Sequence, residues 1–197
     1  SSDGKRLISG GFDGLIIIWD ASTFVEIKRL NVGSKDSKQE AIIGIASSPD
    51  PSFYAIATSS GNVFIYQSDF LAPAASFSAH TDSMLSIAVS PLDEFIATAS
   101  KDKTVKVWSF RVQPCLKDTL KGHTDCTLAV AFSPHAQILI TGSMDQTIRM
   151  WNYKKGKELG TLQAHENTVF AIAHHPEENR FVSVGGDCKV CIWDYNN

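Results

Sequence analysis

Five aromatic residues recur along this chain at near-constant spacing. Trp19, Tyr66, Trp108, Trp151 and Trp193 are separated by 47, 42, 43 and 42 residues, and each ends a short β-branched or apolar segment. Self-similarity at this period confines a chain to stacked, repeated units, because one unit cannot bury its apolar face alone. Other landmarks keep the same register. A proline lies seventeen residues before four of the aromatics, at Pro49, Pro91, Pro134 and Pro176. Asp13, Asp102, Asp145 and Asp187 lie six residues before the Trp residues, with Ser60 in the second copy. His80, His123 and His165 lie twenty-eight residues before three of them.

Each copy reads as short strands divided by turn chemistry. In the third, Met84–Ser90, Phe95–Ser100 and Thr104–Trp108 are apolar-rich runs parted by Pro91–Glu94 and Lys101–Lys103. The fourth repeats this at Thr127–Ser133, Ile138–Ser143 and Thr147–Trp151, with weaker outer strands at Asp118–Leu120 and Lys157–Leu162. No sustained 3.6-residue period occurs, so almost no helix is expected.

A four-strand unit of about 42 residues is the pattern of a propeller blade. With Gly122-His123 before a first strand and Trp19-Asp20 and Trp193-Asp194 closing third strands, the chain resembles the WD40-repeat family. The resemblance implies an all-β, open propeller of four to five four-stranded blades. One repeat region then covers 1–197: a partial blade 1–37, blades 38–79, 80–122 and 123–164, and a partial blade 165–197. Family propellers commonly have seven blades, so the expectation is a fragment of a larger ring with unpaired, aggregation-prone edges. The second copy departs furthest, with Tyr66-Gln67, no turn Asp, and Lys38 at the histidine position.

The family resemblance also implies buried polar tetrads, in which Trp donates to a hydroxyl, the hydroxyl meets His, and His meets Asp. The expected sets are His80/Ser100/Asp102/Trp108 and His123/Ser143/Asp145/Trp151. His165, Asp187 and Trp193 form a third set with Gly185 at the expected hydroxyl position, and Asp13 with Trp19 form an incomplete first. The rival reading is a Ser–His–Asp catalytic triad. Repetition with Trp at fixed spacing favours the structural role, so no catalytic residue and no enzyme activity are expected.

Other chemistry is sparse. Cys188-x-x-Cys191 has zinc-ligand spacing, but no second pair exists and a predicted strand would point the two thiols to opposite faces. No metal and no cofactor are expected. Lys101/Lys103/Lys106 and Lys154/Lys155/Lys157 read as solvated turns. A net charge of -3 argues against direct nucleic-acid binding, and apolar runs such as Leu15–Trp19 are far below the ~20 residues of a membrane helix. The four cysteines are too sparse for a disulfide scaffold and point to a reduced, intracellular setting. Of intracellular locations, the cytoplasm is expected over the nucleus.

The function expected is a scaffold that binds protein or peptide partners within a multi-protein complex. By family register, the binding rim would carry Ile43, Leu85, Leu128 and Phe170 from the innermost strands, with Phe12, Lys101 and Met144 before the turn aspartates. A substrate receptor or regulatory subunit of an enzyme complex such as a ubiquitin ligase is the alternative. Trp108-Ser109-Phe110-Arg111 carries the Arg but not the Asp of that adaptor motif. A reader of modified peptides or anionic lipids is a third. Ala21–Glu40, with polar Ser34–Lys38, and Gln67–Ser78 are expected to break the blade rhythm as loops.

Overall fold

The computed structural model describes residues 1–32, 40–49, 52–70, 72–92, 95–110, 113–163 and 165–195. These form eighteen strands in five antiparallel sheets, each a simple meander. The first sheet holds β1 (Arg6–Gly10), β2 (Leu15–Asp20) and β3 (Glu26–Asn31). The second holds β4 (Ile42–Ser47), β5 (Phe53–Thr58), β6 (Asn62–Gln67) and β7 (Pro73–Ser78). The third holds β8 (Met84–Val89), β9 (Phe95–Ser100), β10 (Thr104–Ser109) and β11 (Cys115–Lys121). The fourth holds β12 (Thr127–Phe132), β13 (Ile138–Ser143), β14 (Ile148–Asn152) and β15 (Lys157–Leu162). The fifth holds β16 (Val169–His174), β17 (Arg180–Gly185) and β18 (Val190–Asp194). Successive sheets pack through their inner strands, β1 on β4, β4 on β8, β8 on β12 and β12 on β16. This is a partial, open propeller.

One turn recurs in all five blades. Gly14, Gly61, Lys103, Gln146 and Cys188 occupy one register position, and all have positive φ, from 61° at Cys188 to 86° at Gly61. Only glycine takes that conformation without cost, so the three side-chain-bearing residues are held there by the turn. The aspartate one residue earlier supplies the hold: Asp102 accepts from the Thr104 amide (2.9 Å), and Asp145 from the Thr147 amide (2.9 Å). Two kinds of β-bulge also repeat. One falls at each aromatic in β2, β6, β10 and β14, the other near the start of β4, β8, β12 and β16.

The core lies between blades. Ala55, Ala57, Val63 and Ile65 of the second blade meet Met84, Ile87, Ile96 and Trp108 of the third. Ala97, Ala99, Val105 and Val107 of the third meet Val130, Phe132, Leu139, Trp151 and Tyr153 of the fourth. Two-residue alternation along each strand thus serves both neighbours. The end blades differ: Val190 and Ile192, in register with fully buried Val105 and Val107, are 68% and 72% exposed.

Two expectations are corrected. Gln67–Ser78 is no interruption, since Pro73–Ser78 is the outer strand β7, with proline at its first position, where a missing N–H is tolerated. Ala21–Glu40 contains β3, while Ser34–Lys38 lies outside the described residues.

Candidate functional site

The repeated polar residues meet in three near-identical chains. In the third blade the Trp108 indole donates to Thr98 Oγ1 (3.1 Å), which lies 2.9 Å from His80 Nε2, while Asp102 Oδ2 lies 2.8 Å from His80 Nδ1. In the fourth, Trp151, Thr141, His123 and Asp145 are joined at 3.0, 2.7 and 2.8 Å. In the fifth, Trp193, Ser183, His165 and Asp187 are joined at 2.9, 2.7 and 3.0 Å. Indole, which can only donate, fixes the direction of each chain: hydroxyl to Nε2, then Nδ1–H to carboxylate.

The hydroxyl differs from the one expected. Ser100 and Ser143 instead donate to the Ser83 and Cys126 carbonyls (3.0 and 2.9 Å) and accept from the Asp102 and Asp145 amides. Residues two apart on a strand share a face, so both hydroxyls were candidates, and Thr98 and Thr141 are the ones within reach of the indole and the imidazole. Gly185 therefore leaves no gap in the fifth blade, because Ser183 fills the position. The first blade follows the same rule, Trp19 donating to Ser9 Oγ (3.0 Å), with Asp13 bound to the Leu15 amide (3.1 Å). A signal was available: ten residues before every Trp stands Ser9, Thr98, Thr141 or Ser183.

Burial sets the electrostatics. It pushes His80 and His123 below the usual imidazole range, against Asp102 and Asp145, which work to raise them. Burial acts to raise Asp145 too, but the Thr147 hydroxyl, the Thr124 and Thr147 amides and His123 hold it at about 2. Neutral imidazole against a carboxylate matches a hydroxyl–His–Asp relay in composition. Thr98, Thr141 and Ser183 are fully buried, however, so no substrate carbonyl can reach those oxygens.

The second blade substitutes another network. Glu40 accepts from Thr58 (2.6 Å), Ser60 (2.7 Å) and Asn62 (3.1 Å), pinning the same turn without His, Asp or Trp. Tyr66, in register with the Trp residues, packs in the core with Tyr54 and Phe70, with ring centroids 4.8 Å apart for Tyr54–Phe70 and 5.7 Å for Tyr66–Phe70.

The cysteine pair is split between elements. Cys188 sits in the turn, not on a strand as expected, and Cys191 on β18. Among the described residues no three His, Cys, Asp or Glu side chains gather as a metal group. No helix among them is long and apolar enough to cross a membrane. Arg111 lies outside the described residues.

The rim residues acquire a common cause. Ile43, Leu85, Leu128 and Phe170 are the extra residues of the inner-strand bulges, skipped in the pairing with β5, β9, β13 and β17. A bulge re-aims its side chain out of the ladder. Backbone bonds tie two of the second rim set alongside, Lys101 to the Ser83 carbonyl (3.0 Å) and Met144 to Cys126 (2.9 Å), and Gly186, at the same register position in the fifth blade, bonds likewise to Thr168 (2.8 Å). Exposure then separates them. Phe12, Phe170 and Met144 are 80%, 58% and 44% exposed and Lys101 is exposed, whereas Ile43, Leu85 and Leu128 are half-buried.

An inter-blade latch was missed. Two residues beyond Trp151, Tyr153 is fully buried against Phe95 and Phe132, its hydroxyl 3.4 Å from Ser90 Oγ of the preceding blade. Phe110 and Tyr195 occupy the same position after Trp108 and Trp193, and Phe110 packs edge-on to Phe53 (4.5 Å). An aromatic two residues after three of the Trp landmarks was the readable sign.

The family model for the WD domain, G-beta repeat, matches residues 1–20, 71–109, 114–152 and 156–194, passing over most of the second blade. The chain is similar to the nuclear distribution protein nudF of Aspergillus terreus, 31% identical over 194 residues, covering 98% of this chain and 28% of that protein. It is 33% identical to nudF of Aspergillus flavus over 122 residues, 60% of this chain and 27% of that one. Transducin-like enhancer protein 2 of Mus musculus is 31% identical over 110 residues, 55% of this chain and 14% of that protein. The chain thus spans less than a third of the length of these relatives. With tetrads, turns and bulges repeated in register and the family model matched over most of its length, the chain belongs to the WD40-repeat family, whose members generally serve as non-catalytic protein-interaction scaffolds.

Proposed function

We propose that this chain is a non-catalytic interaction platform, part of a larger WD40 protein, that engages protein or peptide partners through its bulge-and-turn rim. The carrying observation is the exposure of Phe12, Met144, Phe170 and Lys101, of which Lys101 and Met144 are held by backbone hydrogen bonds to Ser83 and Cys126. Large exposed apolar side chains on a rigid frame are what a binding hot spot needs. Exposed Val190 and Ile192, in register with core residues of the inner blades, and the small share of its relatives that the chain covers support membership of a larger propeller. On this reading the tetrads are structural, any enzymatic chemistry belongs to partners, and the setting is intracellular, in the cytoplasm.

The test compares wild type with a Met144→Asp/Phe170→Asp double variant in affinity capture and cross-linking mass spectrometry. Cross-links concentrated on the rim, and loss of the captured protein by a variant that melts like wild type, are expected. Undiminished capture by that variant would refute the rim as the binding surface.

A further inference from the structure

The seam between the fourth and fifth blades holds a histidine that no tetrad uses. His174, at the end of β16, is in register with Phe132 of β12 and Val89 of β8. Where those blades place hydrocarbon, the fifth places a ring with two polar atoms, and both are engaged. The Tyr195 hydroxyl lies 2.6 Å from Nδ1, and Nε2 lies 3.3 Å from the Ala131 carbonyl of β12, across the seam. Nε2–H donates to the carbonyl, so Nδ1 carries the lone pair that accepts from tyrosine. Phe181 and Tyr195 flank the imidazole, with centroids 5.8 Å away. One neutral tautomer thus ties two blades together.

The three buried histidines, His80, His123 and His165, each face an aspartate; half-buried His174 does not. From β17 and the turn before it, the charged or titratable groups near the ring are His175, Glu178 and Arg180, which with His174 line an open hollow of about 430 Å³. Arg180 is engaged by Glu178 (3.1 Å) and by Asp194 of β18 (3.3 Å). From the end of β18 comes Tyr195, and from the fourth blade the uncharged Ala131 carbonyl. Among the described residues no carboxylate bonds to the ring.

We propose that the fourth–fifth blade seam is an acid-labile joint, closed by neutral His174 and weakened when that ring takes up a proton. The proton adds to Nδ1 and occupies the lone pair that accepted from Tyr195. The resulting cation sits between Phe181 and the fourth blade with no carboxylate bonded to it among the described residues, and the unfolded or opened seam solvates it better. Burial holds His174 at about 4, against the Ala131 carbonyl, which works to raise it. A folded-state value below the unfolded one of about 6.5 means the opened chain binds more protons in between, so stability falls as pH drops through that window.

The test pairs a titration with a substitution. His174→Phe restores the residue the fourth blade carries at this register. Between pH 7 and 5, the folding equilibrium constant from urea denaturation should fall about 20-fold more in wild type than in the variant. Histidine C2–H resonances of the folded wild type, followed by NMR, should show His174 still neutral at pH 5. Equal acid losses in both proteins, or His174 titrating near 6.5 in the folded state, would overturn the joint. Should the variant fail to fold, the wild-type titration decides alone.

Discussion

The second and fourth blades reach the same backbone by different polar chemistry. In the fourth, Trp151, Thr141, His123 and Asp145 form a linear relay from the core to the turn. In the second, a single carboxylate, Glu40, gathers Thr58, Ser60 and Asn62, and Tyr66, in register with the Trp residues, packs with Tyr54 and Phe70. Both leave an αL residue at the turn, Gln146 and Gly61. The difference teaches that the blade needs its turn pinned and its seam filled, and that the tetrad is one way to do both. The relay couples the two tasks, whereas the second blade divides them between separate residues.

That contrast can be strained at three points. His123→Ala should destabilise most, by about 3 kcal/mol, because it opens a cavity and removes a buried partner from both the Thr141 hydroxyl and the Asp145 carboxylate. A loss below about 1 kcal/mol in urea denaturation would show that a complete relay contributes little. Glu40→Gln should cost about 1 kcal/mol, since an amide replaces one acceptor oxygen of a half-buried, charged hub. A cost equal to that of His123→Ala would erase the distinction between coupled and divided networks. The smallest effect has the opposite sign. Thr127 is fully buried with an unpartnered hydroxyl, where the other blades place Ile42, Met84 and Val169. Thr127→Val should raise stability by up to about 1 kcal/mol, read as a higher urea midpoint at unchanged slope. No gain would mean that the hydroxyl is satisfied by solvent.

Much of this was legible because the repeats report on one another. Trp, turn Asp and His hold fixed register in three blades, and that register alone brought together residues twenty-two and twenty-eight apart. The same comparison, carried one position further, would have identified Thr98 and Thr141 over Ser100 and Ser143, since the fifth blade has glycine at one candidate position and serine at the other. Where a blade leaves the repeat, register gave no help. Glu40 has no counterpart in the tetrads, and Gln67–Ser78 looked like an interruption because proline and alanine weaken the strand signal that pairing with β6 overrides.

The rim marks the remaining boundary. By itself the sequence determined the period, the strands, the turn aspartates and which residues share a register, because these follow from local chemistry repeated at constant spacing. Only the tertiary structure decided which members of a register are exposed. Leu128 and Phe170 occupy the same inner-strand bulge, yet one is half-buried and the other stands in solvent. Exposure at a seam depends on the neighbouring blade and on the packing it brings, and no single repeat encodes its neighbour.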